Sequence, residues 1–261
     1  MPGPQKSFVW VELLTSDVGA AKAFYRSVVG WEMQDVPMPG MTYTMLHAGP
    51  VPVGGLMAMP ADVAAAGMRP FWAPYIEVDD VDAAAAELKT LGGKVLMPPN
   101  DIPEVGRFAP VTDSQGAIFN LFKAKSPAAN AVSREPGRVG WHELHAKDAP
   151  KSWDFYRRLF GWTQAQAMDM GAMGLYQIFS IDGLQSGAMF NSPAAQQASY
   201  WLIYFSVADI DEAQSRLTAA GGKVTHGPVE VPENRWVIQA SDPQGAAFAL
   251  VGNRRLSRTD R

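Results

Sequence analysis

The sequence predicts an α+β fold made of two tandem copies of one domain, each copy containing two strand–helix–three-strand units. Three observations carry this prediction. First, the chain repeats itself. Trp10-Val-Glu12-Leu13, Asp17, Phe24-Tyr25-Arg26 and Gly30-Trp31 return 131 residues later as Trp141-His-Glu143-Leu144, Asp148, Phe155-Tyr156-Arg157 and Gly161-Trp162, so that nine of the 22 positions from 10 to 31 are identical. Second, two later blocks return at an offset of 129. Trp72, Tyr75, Val78, Asp80, Asp82, Leu88 and Gly92-Gly-Lys-Val95 match Trp201, Tyr204, Val207, Asp209, Asp211, Leu217 and Gly221-Gly-Lys-Val224, and Asp113-Ser-Gln-Gly116 with Phe119 matches Asp242-Pro-Gln-Gly245 with Phe248. Third, strand-like segments outnumber helical ones and come in runs, and each helical stretch lies between an Asp and a Gly.

The first copy opens with a strand-like Phe8–Leu14, after which Asp17 caps a helix over Gly19–Val29. Ala21, Phe24, Tyr25 and Val28 fall on one face of it, at i, i+3, i+4 and i+7. Gly30 stands where a left-handed residue ends a helix. Strand candidates follow, among them Thr42–His47 and Val53–Met59. The unit then restarts with Ala73–Val78, a helix from Asp80 to Gly92-Gly93, and closing strands ending in Phe119–Phe122. The second copy reads the same way. Val139–His145 precedes Asp148, Pro150 and a stop at Gly161; Leu202–Val207 precedes a helix from Asp209 to Gly221-Gly222; and Phe248–Val251 closes the chain. Asp209-Ile-Asp-Glu212 has the spacing of a capping box. The expected boundaries are domain 1 over 1–125, a linker over 126–138 (Ser126, Pro127, Asn130, Ser133, Pro136, Gly137), domain 2 over 139–253 and a polar tail over 254–261.

Composition narrows the function. Apolar residues make up 47% and charged residues 18%, which is a globular balance. The net charge of −4, without a basic cluster, argues against a nucleic-acid partner. With no cysteine there are no disulfides, thiolate catalysis or cysteine-held metal clusters. The N-terminal stretch lacks an apolar signal core, and no apolar run approaches about 18 residues, so a cytoplasmic protein without membrane association is expected.

Taken together, Asp17…Phe24-Tyr25…Gly30-Trp31 with its twin, Val78-Asp-Asp80-Val-Asp82 leading to Gly92-Gly93, and the two Asp-x-x-Gly…Phe blocks resemble the vicinal oxygen chelate superfamily. That superfamily holds glyoxalase I, the bleomycin-resistance proteins and the extradiol dioxygenases. The resemblance covers nearly the whole chain and is nearest to the tandem bacterial glyoxalase-like proteins. It implies two glyoxalase-like domains, four βαβββ units in all, forming curved, barrel-like sheets around a small-molecule cavity with the helices outside. It also implies where a divalent metal would sit: a His or Gln on the first strand, a His on the fifth, a Glu on the last and a ligand near the end of the fourth. This chain carries Trp10, Ala73 and Asn120 at the first three of those positions in one copy and Trp141, Leu202 and Ala249 in the other. Neither Met57-Ala-Met59 nor Met189-Phe-Asn191 supplies the remaining carboxylate or His. An indole N–H only donates, and alanine and leucine side chains have no lone pair. We therefore expect no family-type metal and no other cofactor.

Strand alternation puts Glu12 on the same face as Trp10, and Glu143 and His145 on the same face as Trp141. Tyr75 and Tyr204 lie two residues past Ala73 and Leu202, so they too are expected to face the cavity, with Asn120 beside them in the first copy. The candidate catalytic residues are Glu12, Glu143 and His145; the candidate ligand-binding residues are Trp10, Tyr75, Asn120, Trp141 and Tyr204. The aromatics serve equally well as core. A glutamate on an inward face is either a prop bonded to Tyr75, Tyr204 or backbone, or an acid–base group whose charge burial disfavours. His145 shares a face with Glu143, whereas His142 faces away, and His47 and His226 show no partner. Most of the thirteen methionines, Met173 among them, read as gap-filling core. One loop differs between the copies: Gly106-Arg107 stands opposite Arg235-Trp236.

Three function classes stay open. The preferred one is a metal-free protein that binds a small, partly apolar ligand in the barrel pocket. The second is an enzyme: a metal-independent lyase or isomerase using Glu12 or Glu143, or a glyoxalase or dioxygenase with relocated ligands. The third is an interaction protein with filled cavities. The expected partner is a small molecule, the assembly either a monomer with pseudo-dimeric halves or a homodimer.

Overall fold

The computed structural model describes residues 6–38, 40–126, 132–171, 174–192 and 199–254. Within the expected linker, Pro127 and Asn130 lie outside the described residues, as do Met173 and the tail beyond Arg254. The first copy runs β1 (Phe8–Thr15), α1 (Val18–Val28), β2 (Glu32–Met38), β3 (Met41–Ala48) and β4 (Val51–Ala58). A short helix absent from the sequence reading, α2 (Ala61–Ala65), leads to β5 (Phe71–Glu77), α3 (Val81–Thr90), β6 (Lys94–Val95), β7 (Asn100–Ile102), β8 (Gly106–Thr112) and β9 (Ile118–Ala124). The second copy runs β10 (Val139–Ala146), α4 (Ala149–Phe160), β11 (Thr163–Asp169), β12 (Leu175–Ile181) and β13 (Leu184–Asn191), then β14 (Tyr200–Asp209), α5 (Ile210–Ala219), β15 (Lys223–Val231), β16 (Arg235–Ser241) and β17 (Ala247–Asn253).

The punctuation works as expected. Asp17, Asp80 and Asp148 each accept the backbone N–H three residues on, and Asp209 accepts those of Asp211 and Glu212. Gly30 and Gly161, at φ +87° and +73°, take the left-handed turn that releases the chain into the next strand. In every unit the first strand lies parallel to the last: β1 to β4, β5 to β9, β10 to β13 and β14 to β17. One sheet has the order β2-β3-β4-β1-β5-β9-β8-β6, with β7 beside β8; the other has β11-β12-β13-β10-β14-β17-β16-β15. Each has two free ends, so the expected barrels are open sheets.

Two compact units emerge. Unit one comprises Met1–Trp10, Ala73–Ala131 and His142–Leu202; unit two comprises Val11–Trp72, Val132–Trp141 and Ile203–Arg261. Each therefore draws on both copies of the repeat. In unit two Trp31 packs edge-on to Phe205 at 4.8 Å, and Tyr25 edge-on to Phe248 at 5.4 Å. In unit one Trp162 stacks on Phe179 at 4.5 Å, and Phe119 lies 5.7 Å from Tyr156.

A buried polar chain runs through each of these cores. In unit two Trp72 Nε1 donates to the Tyr25 hydroxyl at 2.9 Å, which donates to Asp242 Oδ2 at 3.1 Å. In unit one Trp201 Nε1 donates to Tyr156 at 3.0 Å, which donates to Asp113 Oδ2 at 3.2 Å. The other oxygen of each Asp accepts two backbone N–H groups of its own turn, from Gln115 and Ala117 or from Gln244 and Ala246. In both chains the Asp comes from one copy and the Tyr and Trp from the other. Burial pushes both carboxyls above the usual carboxylate value, against the pull of these hydrogen bonds. Several of the most repeated residues are thus accounted for by packing.

Candidate functional site

A polar cluster on a strand face lies in unit one. Glu143 and His145 alternate onto one face of β10 and are both buried, at 5% and 6% exposure. His145 Nε2 meets Glu143 Oε1 at 2.9 Å. The Tyr176 hydroxyl, from β12, donates to Glu143 Oε2 at 2.8 Å. The Tyr200 hydroxyl, at the start of β14, meets His145 Nδ1 at 3.1 Å. One neutral tautomer satisfies every contact: Nε2–H donates to the carboxylate and bare Nδ1 accepts from Tyr200. The rings are held as well, with Tyr200 stacked on the imidazole at 4.6 Å and Phe190 edge-on at 4.7 Å. The register pairs Glu143 with Ala188 and His145 with Phe190. Tyr200 is 36% exposed and forms the solvent end of the chain of contacts. Burial, and then the Glu143 charge, push its hydroxyl up to about 12, so it stays protonated at neutral pH.

Unit one also holds an aromatic patch from the first copy. Tyr75 and Phe122 are buried against Val9, with Trp10, Phe108 and Ala124 packed on them. Tyr75 and Asn120 are register neighbours on β5 and β9. Trp10, Tyr75 and Asn120 thus come together, as do Glu143 and His145. The other candidates lie in unit two. Glu12 is buried and pairs in register with Gly55. A Cβ at Gly55 would run into the Tyr43 hydroxyl, so glycine is what lets that ring cross β4. Tyr204 is buried and its hydroxyl accepts from Gln239 Nε2 at 2.9 Å; Ala249 pairs in register with both. Trp141 is half-buried. His142, read as facing away, lies in the core, where it stacks on Phe8 at 3.7 Å and donates from Nδ1 to the Ser186 carbonyl. Burial pushes its imidazole down to about 4.

The sequence reading missed Tyr43, Tyr176 and Tyr200. Tyr43 and Tyr176 match at an offset of 133, which neither of the two repeat offsets reveals. Tyr200 stands where the first copy has Phe71, and its hydroxyl has no counterpart there. Among the described residues no three His, Asp or Glu side chains are placed to share a metal ion, and no helix is long and apolar enough to cross a membrane.

Comparison with known proteins gives these features a context. A family profile described as the Glyoxalase/Bleomycin resistance protein/Dioxygenase superfamily matches residues 7–121 and 132–250. CFP32 of Mycobacterium tuberculosis, named as a suspected glyoxylase, is 34% identical over 244 residues, covering 93% of each chain. The anthracycline biosynthesis protein DauV of Streptomyces sp. is 30% identical over 255 residues, covering 93% of this chain and 91% of its own. A Mn(II)-bound glyoxalase from Novosphingobium aromaticivorans superposes with a TM-score of 0.66 at 17% identity, covering 97% of this chain and 83% of that one, which is a likeness of fold. Two repeat-wide matches on four βαβββ units leave one conclusion: the chain belongs to the Glyoxalase/Bleomycin resistance protein/Dioxygenase superfamily.

Proposed function

We propose that this protein is a cytoplasmic member of the superfamily that binds a small, partly apolar molecule without the family's divalent metal. The observation that carries the reading is how the inward polar groups are used. Glu143, His145, Tyr176 and Tyr200 satisfy one another instead of pointing lone pairs at a common vacant point. The residues at the family's ligand positions do not fit a divalent ion. Trp10 and Trp141 offer only donors, Ala73, Leu202 and Ala249 offer nothing, and Asn120 offers one neutral carbonyl. Tyr204 and Gln239 bond to each other at the register position of Ala249, where a ligating carboxylate would stand. What remains is an aromatic face with a few placed polar groups, which suits a small organic ligand. The names of the two relatives support small-molecule work of this kind.

Elemental analysis of the purified full chain tests the metal-free clause, with no stoichiometric transition metal expected. One tightly held ion per copy, released with loss of ligand binding, would overturn it. Native mass spectrometry of protein as purified tests the binding clause: a retained small molecule is expected, and Glu143→Gln, which keeps shape and removes charge, should weaken its retention about tenfold.

One observation favours a second reading, metal-free acid–base catalysis in the second copy. A proton taken up at the Tyr200 oxygen can be balanced by passing the hydroxyl proton to His145 Nδ1, with Glu143 stabilising the imidazolium. Under that reading Tyr200→Phe abolishes turnover and leaves ligand retention intact.

A further inference from the structure

The loop that differs between the copies leads to a second site. In the first copy Arg107 is spent on ion pairs with Asp82 and Asp101, at 2.7 and 3.0 Å. In the second copy the arginine sits one position earlier, as Arg235, and Trp236 takes the place of Arg107. Asp211, the counterpart of Asp82, is occupied by Arg254, whose guanidinium also lies 4.2 Å over the Trp236 ring. Of the two carboxylate positions that Arg107 uses, that of Asp82 is thereby taken from Arg235, while that of Asp101 is kept as Glu230. Its Nη2 donates to the Val251 carbonyl at 3.3 Å, while its buried Nε has no partner among the described residues. A buried donor left without a partner is costly. A left-handed residue stands at the matching position of both copies, at Glu104 (φ +61°) and Glu233 (φ +68°), and the second copy adds Asn234 (φ +56°). The loop therefore differs between the copies in its backbone as well as in the place of its arginine.

Arg235 opens onto a cavity of about 360 Å³ within unit two, lined also by Arg134, Glu233, Pro136, Val207 and Ala208. Arg134 is ion-paired to Glu233. Two guanidinium groups against one carboxylate leave a single positive charge in the lining. Burial, and then the Arg134 charge, press the Arg235 guanidinium below its ordinary value, so an incoming negative charge would be favoured by both arginines. We propose that this cavity binds a monoanionic organic acid. Its carboxylate would sit against the guanidinium of Arg235 within reach of Arg134, and its apolar body against Pro136, Val207 and Ala208. The planar guanidinium fork matches a carboxylate, and the volume suits a ligand of one small ring.

Isothermal titration calorimetry on the full chain tests this with benzoate, the neutral isostere benzamide and inorganic phosphate as probes. Benzoate should bind saturably, with benzamide about tenfold weaker or worse. Arg235→Gln should weaken benzoate about tenfold, and the exposed Arg134→Gln about threefold with an unchanged melting temperature. Should Arg235→Gln fail to fold, Arg134→Gln still decides. Absence of saturable benzoate binding, equal affinity for benzamide, preference for phosphate, or indifference of benzoate to Arg134→Gln would each overturn the proposal.

Discussion

The same glutamate stands on the first strand of both copies, in different company. Around Glu143 the second copy has Tyr176, His145, Tyr200 and Phe190, joined by hydrogen bonds and ring contacts. At the matching positions around Glu12 the first copy has Tyr43, Leu14, Phe71 and Met57. The tyrosine is kept, while the imidazole and the second hydroxyl are replaced by hydrocarbon. The Trp–Tyr–Asp chains behave in the opposite way: Trp72–Tyr25–Asp242 and Trp201–Tyr156–Asp113 agree residue for residue and within about 0.1 Å. The Trp–Tyr–Asp chains thus hold each unit together alike, whereas the side chains around the two glutamates differ between the copies.

The largest expected effect breaks the part that agrees. Asp113→Ala leaves the Tyr156 hydroxyl and two turn N–H groups without an acceptor and should cost about 3 kcal/mol of unfolding free energy. Asp242→Ala should cost the same within about 1 kcal/mol. Urea denaturation of each variant measures both, and a large inequality would show that the two chains do unequal structural work.

The next effect separates the copies by pH. Folded His142 is pushed down to about 4 from an ordinary 6.5, so the unfolded chain binds a proton between those values that the folded chain does not. Stability is then fully present above about pH 6.5 and falls as pH drops towards 4, by up to about 3 kcal/mol. Asp113 and Asp242 cannot cause this fall. Their folded values are raised, so their share is fully present below the ordinary carboxylate value and lost as pH rises through the folded one. The first copy carries Val11 at the position of His142. His142→Val should flatten the acid slope of the urea midpoint, and an undiminished slope would place the acid lability elsewhere.

The smallest effect tests the divergent site itself. Tyr200→Phe removes one half-exposed hydrogen bond to His145 and should cost about 1 kcal/mol. The reciprocal Phe71→Tyr gives its new hydroxyl a leucine where the second copy has His145, and should change stability by less than about 0.5 kcal/mol. Equal shifts from the two substitutions, again by urea denaturation, would mean that the His145 contact contributes nothing.

Much of the architecture was legible because its signals are local. Asp17, Asp80, Asp148 and Asp209 cap helices because a carboxylate at that position meets the free N–H groups of the first turn, whatever surrounds it. The shared face of Glu143 and His145 followed from strand alternation alone. The five-residue α2 escaped notice because no side-chain cap or buried face announces it. Tyr176 and Tyr200 escaped because they reach Glu143 and His145 from other strands, 33 and 55 residues away. The repeat, the four strand–helix–strand modules and the resemblance to the superfamily were readable from residue type and spacing, since each signal lies along one stretch of chain. What the fold alone reveals is that Asp113 serves the tyrosine of the other copy, that both nitrogens of His145 are occupied and that Arg254, not Arg235, takes Asp211. Those facts depend on which distant side chains meet at hydrogen-bonding distance, and a separation along the chain carries no information about a separation in space.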